Sequence, residues 1–335
     1  MMAKGSGMMG SGKNIGVGVL GYSDIARRKF IPALAQSTGA VLHAVARSVQ
    51  ATAAATARDL QVKPTSYEEL LTDPAIGLVY ISLPNHLHET WTLRALQQGK
   101  HVICEKPLGL SAASVQLMVA CAADQGLLLF ENLMYLHHPQ HAAVKKIMER
   151  GDIGIIKGVR SVFRFPFPAA GNFRLDPARG GGAFHDLAPY AVSTAWYFLR
   201  GMCHSFSGFA LDRNGLNVGI HGTALTTEGE IFSYSLAFGQ SYESSYEIIG
   251  EKGKIWVDRA YTTPPHMDNI IHVTSGEKDI SLTVPAADHF QLMIADVCTL
   301  IRNGAGFDDI HARTLQLAEM AEQMEKGCHH EELRQ

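Results

Sequence analysis

Residues 15–26 read Ile15-Gly16-Val17-Gly18-Val19-Leu20-Gly21-Tyr22-Ser23-Asp24-Ile25-Ala26. Ile15 to Leu20 is a short, valine-rich apolar run, the signal of a buried strand. The stretch Gly16 to Gly21 matches G-x-G-x-x-G literally, but its first two glycines fall inside that strand. A phosphate-binding fingerprint must follow the strand, so that backbone amides at a helix start face a pyrophosphate. The register that meets this condition is Gly21-Tyr22-Ser23-Asp24-Ile25-Ala26, G-x-S-x-x-A, with small residues at all three required places. Gly21, Ser23, Asp24 and Ile25 are therefore expected against a dinucleotide. Taken alone, these residues fit an ordinary tight turn equally well.

Working outward, apolar strands at 41–46, 78–83, 101–105 and 127–133 alternate with helical stretches at 49–60, 85–98, 111–126 and 139–151. Ser66 and Glu69 fit a capping box before another short helix. Strands apolar on both faces, with helices between them, specify a doubly wound parallel sheet of the α/β class. The second strand ends in Ala46-Arg47-Ser48, and no acid follows until Asp59. NAD enzymes place an acid there for the ribose hydroxyl. A guanidinium and a hydroxyl suit a 2′-phosphate instead, so NADP(H) is favoured over NAD(H).

After Gly151 the rhythm changes. A long strand at 155–165 and a helix at 183–199 precede successive strands over 203–284, with polar turns between them. This pattern predicts a large mixed or antiparallel open sheet. Phe290, Met293, Ile294, Val297 and Ile301 mark one late helix face; Leu317, Met320, Ala321 and Met324 mark another. The expected division is 1–13 as a disordered N-terminus, 14–134 as a dinucleotide-binding domain, and 135–330 as an α+β domain for substrate and oligomerisation. A length of 335 residues accords with two domains.

The net charge is −3 and the basic residues are scattered, which argues against nucleic acid and anionic membrane as partners. Five cysteines without a C-x-x-C read as reduced thiols in a cytoplasmic protein. No stretch approaches the ~20 apolar residues of a membrane span, and the first residues lack a signal-peptide core. His137 and His141 stand four apart, but the segment is H-H-P-Q-H with no glutamate in place. No metal is expected there. Cys328-His329-His330 reads as part of a polar tail.

His101-Val102-Ile103-Cys104-Glu105-Lys106-Pro107 is a strand running into a charged turn, where open α/β sheets bind ligands. Ser82-Leu83-Pro84-Asn85-His86-Leu87-His88 ends the preceding strand. With the G-x-S-x-x-A turn and Gly180-Gly181-Gly182-x-x-x-Asp186, these segments resemble the glucose-fructose oxidoreductase / inositol dehydrogenase / MocA family, in its order and approximate spacing. The resemblance covers nearly the whole chain. It implies a Rossmann domain and hydride transfer between nicotinamide C4 and a carbon bearing a hydroxyl or carbonyl, usually on a sugar. It also implies that Lys106 hydrogen-bonds the reacting oxygen, and that Ser82, Leu83, Pro84, Asn85, His88 and Glu105 line the cofactor pocket. An ammonium beside a developing alkoxide stabilises it most in the transition state.

Many family members read D-x-G-x-H-x-x-D after the glycines. Here Asp186-Leu187-Ala188-Pro189-Tyr190-Ala191-Val192-Ser193 places tyrosine for the histidine and serine for the last acid. Tyr190 can donate a proton, with the nearby ammonium expected to lower its pKa; it also fits a core aromatic on a helix carrying Trp196 and Phe198. Tyr190 and residues 131–141 resemble the nucleotide-sugar 3-ketoreductase branch. That resemblance implies reduction of a C3 ketone on a nucleotide-linked deoxysugar, Lys106 and Tyr190 as catalytic residues, and His138, Arg174 and Asp186 as substrate contacts. Arg164, Arg174 and Arg179 flank the expected pocket, as a diphosphate would need. Alternatives are a free-sugar or trans-dihydrodiol dehydrogenase and a non-catalytic NADP-binding regulator. A sheet with one helix-covered face is expected to pair through the other, as a homodimer or homotetramer.

Overall fold

The computed structural model describes residues 14–48 and 50–334. The expected disordered N-terminus, residues 1–13, lies outside the described residues. The first half forms a six-stranded parallel sheet from β1 (Ile15–Leu20), β2 (Ala40–Ala46), β3 (Lys63–Thr65), β4 (Leu78–Ile81), β5 (His101–Cys104) and β6 (Leu129–Glu131). Its order is β3-β2-β1-β4-β5-β6, the Rossmann arrangement. The strand order reverses between β1 and β4, which opens a crevice at their carboxyl ends. β1 and β4 are buried at every residue, as helices on both faces require.

The helices of this half are α1 (Ile31–Gln36), α2 (Gln50–Asp59), α3 (Tyr67–Thr72), α4 (His88–Gln97) and α5 (Ala112–Gln125). The capping box of α3 forms as expected: Ser66 accepts from the Glu69 amide and Glu69 accepts from the Ser66 amide. The three-residue β3 carried too little apolar pattern to be read in advance.

α6 (Pro139–Glu149) leads into a nine-stranded mixed sheet, β14-β13-β12-β11-β7-β10-β9-β8-β15. Its strands are β7 (Ile156–Phe165), β8 (Cys203–Arg213), β9 (Leu216–Thr226), β10 (Ile231–Phe238), β11 (Glu243–Gly250), β12 (Gly253–Val257), β13 (Asn269–Ser275), β14 (Lys278–Val284) and β15 (Cys328–Glu332). The last departs from the expected polar tail: its residues pair in parallel with β8. Charged and imidazole side chains hid the strand because both its faces are largely exposed at the sheet edge.

One face of this sheet is covered by α7 (Ala183–Phe198), whose Leu187, Ala191, Val192 and Ala195 enter a core with Val159, Ile220, Leu236 and Ile248. On the other face Phe209, Leu225, Ile231, Ile249, Trp256 and Ile270 are exposed. The two late helices, α8 (His289–Asn303) and α9 (Phe307–Lys326), do not stay with this sheet. The apolar face of α8 enters the core of the first sheet, where Phe290, Met293, Ile294, Val297 and Ile301 pack with Val17, Val19, Phe30 and Leu34. α9 packs against both α5 and α7, one from each half. The chain thus crosses between its two halves more than once. Among the described residues, no helix is long and apolar enough to cross a membrane.

Candidate active site

The turn after β1 behaves as the shifted register requires. Gly16 and Gly18 lie within the strand, where a Cβ would strike Ala75 and Leu70. Gly21 turns the chain at φ +89°, and a Cβ there would lie 2.9 Å from the Ser82 carbonyl oxygen. Ser23 Oγ accepts from the Ala26 amide at 3.2 Å and so caps the first turn that follows. Ser82 Oγ donates to the Gly21 carbonyl at 2.9 Å, which ties the ends of β1 and β4 together at the reversal. Asp24 is exposed, and its carboxyl is held below the ordinary value first by a hydrogen bond from Arg27 and then by the charge of Arg28.

Arg47 and Ser48 sit beside this turn, because the Gly21 amide bonds the Ala46 carbonyl. The Arg47 guanidinium lies 5.4 Å from the centre of the Tyr22 ring and donates to Thr56 Oγ1 at 3.0 Å. Ser48 is exposed and hydrogen-bonds the Tyr67 phenol. The residues present fit an NADP(H): a left-handed glycine that admits no Cβ, a capped helix start, and a cation with a hydroxyl at the end of β2.

A cleft of about 670 Å³ runs from this turn to the second half. Ser23, Asp24, Ile25, Ser82, Leu83, Asn85, Glu105 and Lys106 reach it from the first half, and Arg174, Arg179, Asp186 and Tyr190 from the second. Its floor is a charge cluster. Lys106 Nζ donates to Asp186 Oδ1 and to the Asp186 carbonyl, both at 2.7 Å. Arg174 Nε donates to Asp186 Oδ2 at 2.8 Å. Burial works against the Asp186 charge, but Lys106 and Arg174 outweigh it and hold the carboxyl down to about 2. Gly181 makes the cluster possible: a Cβ on it would lie 2.7 Å from three carbonyl oxygens of the Arg174 loop.

Tyr190 is one turn on from Asp186 along α7, and Lys106 Nζ stands 4.9 Å from its ring centre. Tyr135, Phe163 and Tyr261 pack around the ring at 5.1–5.5 Å. The residue is thus both a core aromatic and part of the cleft wall. The expected lowering of its pKa is not found. Burial, then the charges of Asp186 and Glu105, push the phenol well above its ordinary value. Lys106 is committed to Asp186.

Glu105 is held by Tyr80 at 2.5 Å and Asn132 at 2.6 Å, with burial raising its carboxyl. Asn85 Nδ2 donates to the Gly180 carbonyl at 2.8 Å and joins the two sides of the cleft. His88 is fully buried behind the wall, its ring nitrogens 2.8 Å from the Pro107 carbonyl and 2.9 Å from that of Leu83. It braces the turn carrying Lys106 rather than facing the cleft. Pro84 is the cap of the short helical turn at Asn85–Leu87 and also stays outside the lining.

His138, expected at the substrate, is buried away from the cleft. Its Nδ1 caps α6 by accepting from the Gln140 amide at 3.3 Å, and burial lowers its pKa to about 4. His141 is spent on Tyr246 and Gln140, and His137 on Asp296. Among the described residues, no group of three His, Cys, Asp or Glu is placed to hold a metal. Arg164 is also displaced. Phe163 and Phe165 of β7 face the cleft, so strand alternation turns Arg164 to the opposite face, where it pairs with Glu243. Sequence reasoning missed Arg28, Lys29, Phe173 and Thr262 in the lining. The basic run Arg27-Arg28-Lys29 directly after the turn was the visible signal for the first two.

Residues 15–133 match the family described as an oxidoreductase family with an NAD-binding Rossmann fold, and residues 141–256 match the GFO/IDH/MocA C-terminal domain. A dTDP-3,4-didehydro-2,6-dideoxy-alpha-D-glucose 3-reductase from Actinomadura kijaniata is 32% identical over 317 residues, 94% of this chain and 96% of that protein. A D-xylose 1-dehydrogenase (NADP(+)) from Haloferax volcanii is 32% identical over 253 residues, 74% of this chain and 77% of that protein. The crystal structure of a 3-ketoreductase from Actinomadura kijaniata with NADP and TDP-benzene superposes with a TM-score of 0.92 at 29% identity, covering 96% of this chain and all of that one.

The depressed Asp186 carboxyl has a consequence for stability. Its folded value of about 2 lies below its ordinary 3.8, so its contribution is present above pH 4 and lost as pH falls through about 2. Chemical denaturation across pH is expected to find Asp186→Asn less stable than the wild type at neutral pH, with the difference shrinking between pH 4 and 2. An unchanged difference across that window contradicts the assignment.

Proposed function

On the premise that this chain belongs to the GFO/IDH/MocA oxidoreductase family, we propose that it is an NADPH-dependent ketoreductase acting on the C3 ketone of a nucleotide-linked deoxysugar. The observation that carries this reading is the pairing of Lys106 and Tyr190 at one cleft floor, with the Lys106 ammonium bound to Asp186 and 4.9 Å from the Tyr190 ring centre. When bound, NADPH supplies the hydride. Two Lys106 N–H groups are taken by Asp186, which leaves the third for the ketone oxygen. Tyr190, a neutral phenol, gives that oxygen a proton and recovers one from solvent in the cleft. The carbonyl carbon gains the hydride and its oxygen the proton, which completes the alcohol. Asp186 orients Lys106 and Arg174 without taking part in proton transfer, since its carboxyl stays ionised.

Support for the nucleotide-linked substrate comes from the relatives with that activity and from the charges of the cleft. Lys29 and Arg179 line it without an acid partner among the described residues, and Arg28 adds a third cation. A diphosphate suits that lining, and Phe165 and Phe173 offer faces for a base. A free-sugar dehydrogenase is the second reading, favoured by the xylose-oxidising relative. The five cysteines are unpaired, which supports a reducing, cytoplasmic setting. We also infer association as a homodimer or homotetramer through the open apolar face of the nine-stranded sheet.

Four measurements test these readings. Fluorescence titration should show NADPH binding more tightly than NADH, with Arg47→Ala losing that preference; equal affinities in the wild type remove the 2′-phosphate assignment. Thymidine diphosphate should raise the melting temperature, and Tyr190→Phe should lower kcat on a keto-deoxysugar nucleotide about 10²-fold or more with little change in KM. No stabilisation by the nucleotide favours the free-sugar reading, and a fully active Tyr190→Phe overturns the proton-donor role. Sedimentation at micromolar concentration should find an oligomer that Trp256→Glu disperses; a monomeric wild type refutes the interface.

A further inference from the structure

Beside the turn that carries Lys106 lies a second cavity, of about 90 Å³, which shares no lining residue with the cleft. It is a half-open pocket where residues 107–112 and α5 meet α7 and α9. Leu108, Leu110, Val115, Phe184, Val192 and Leu317 make its walls apolar. Its polar lining is one-sided in charge: Glu131, Glu322 and Glu325 contribute carboxylates, and no lysine or arginine lines it.

Glu131 decides what such a cavity can hold. It is only 8% exposed. One of its oxygens accepts the Leu108 amide at 3.0 Å, and the other receives no hydrogen bond from the described residues. A purely apolar occupant would cover that oxygen and leave it without a partner, at a cost of about 1–3 kcal/mol. An anion would face three carboxyl groups, of which Glu322 already holds Lys326 and Glu131 is raised by burial against the charges of Arg313 and Lys106. We propose that the cavity is a second ligand site, for a small branched alkylammonium ion whose carbon body fills the apolar walls and whose ammonium meets Glu131. An engineered apolar cavity of about 150 Å³ takes benzene, so the volume here suits a body of four or five carbons. The ammonium fits the remaining polar lining as well: His185 is kept in its neutral, hydrogen-bond-accepting form by burial. Pro107 and Pro189 also line the cavity, so an occupant stands one residue from both Lys106 and Tyr190 without entering the cleft. The inference does not depend on the substrate reading.

The test is ligand-observed NMR titration of the full-length protein, saturated with NADPH, using isobutylamine, isobutanol and isovalerate. Isobutylamine should bind about tenfold more tightly than isobutanol, the strength of one charge-assisted hydrogen bond, and isovalerate should not bind. Glu131→Gln should bring the amine down to the alcohol. Ala318→Leu, which fills the cavity from α9, should abolish both. Equal binding of amine and alcohol to the wild type overturns the proposal and leaves a water-filled or merely apolar cavity. Amine binding that survives Ala318→Leu also overturns it, since the amine would then sit elsewhere. Should Glu131→Gln fail to fold, the comparison of the three probes on the wild type and on Ala318→Leu decides.

Discussion

The carboxylate of Asp186 is the contact on which the site depends. It is nearly inaccessible to solvent, yet it stays ionised, because one oxygen meets Lys106 from the first half of the chain and the other meets Arg174 from the second. A lone buried carboxylate would take up a proton instead. Removing either cation would leave uncompensated charge in a low-dielectric wall, which is the costly way to break a buried ion pair. The cluster therefore fixes the distance between the turn after β5 and the helix α7, and with it the separation of Lys106 from Tyr190.

That geometry needs close backbone approach on both sides. Gly21 lets the first turn pass against Ser82, and Gly181 lets the Arg174 loop fold onto the start of α7. His88 and Asn85 then use side-chain hydrogen bonds to hold the turns that form the cleft wall. The return of α8 to the first sheet, and the seating of α9 across α5 and α7, anchor the two halves to each other behind the cleft. The cleft is thus set between two cores that share helices, a rigid arrangement for positioning reacting groups.

Family membership and the floor of the cleft bear on different questions. The first establishes an oxidoreductase with a Rossmann domain. The second bears on the division of labour between an ammonium and a phenol. An ammonium already bound twice to Asp186 is suited to hold an oxygen in place, while a phenol with a raised pKa is suited to give up its proton only as negative charge develops on its partner.

The sequence by itself determined the alternation of strands and helices, the position of the glycine turn after β1, the Lys106 turn and the mixed sheet. Those features are written in local patterns: apolar runs, capping residues, and glycines where only glycine fits. It also showed that Arg47 and Ser48 replace the usual acid, because that position is fixed by its place at the end of β2. Only the tertiary structure decided which face each side chain takes and which charges meet. Strand parity sent Arg164 away from the cleft and Phe163 into it. Helix capping drew His138 into the interior. The fold brought Arg28 and Lys29 to the cleft and α8 to the first core. The Tyr190 phenol was pushed up rather than down because the folded core buries it first and then sets the Asp186 and Glu105 carboxylates near it, while Lys106 is bound to Asp186, 80 positions away in the chain. Such long-range contacts leave no periodic trace in the chain, since burial and charge pairing depend on what the folded neighbours bring.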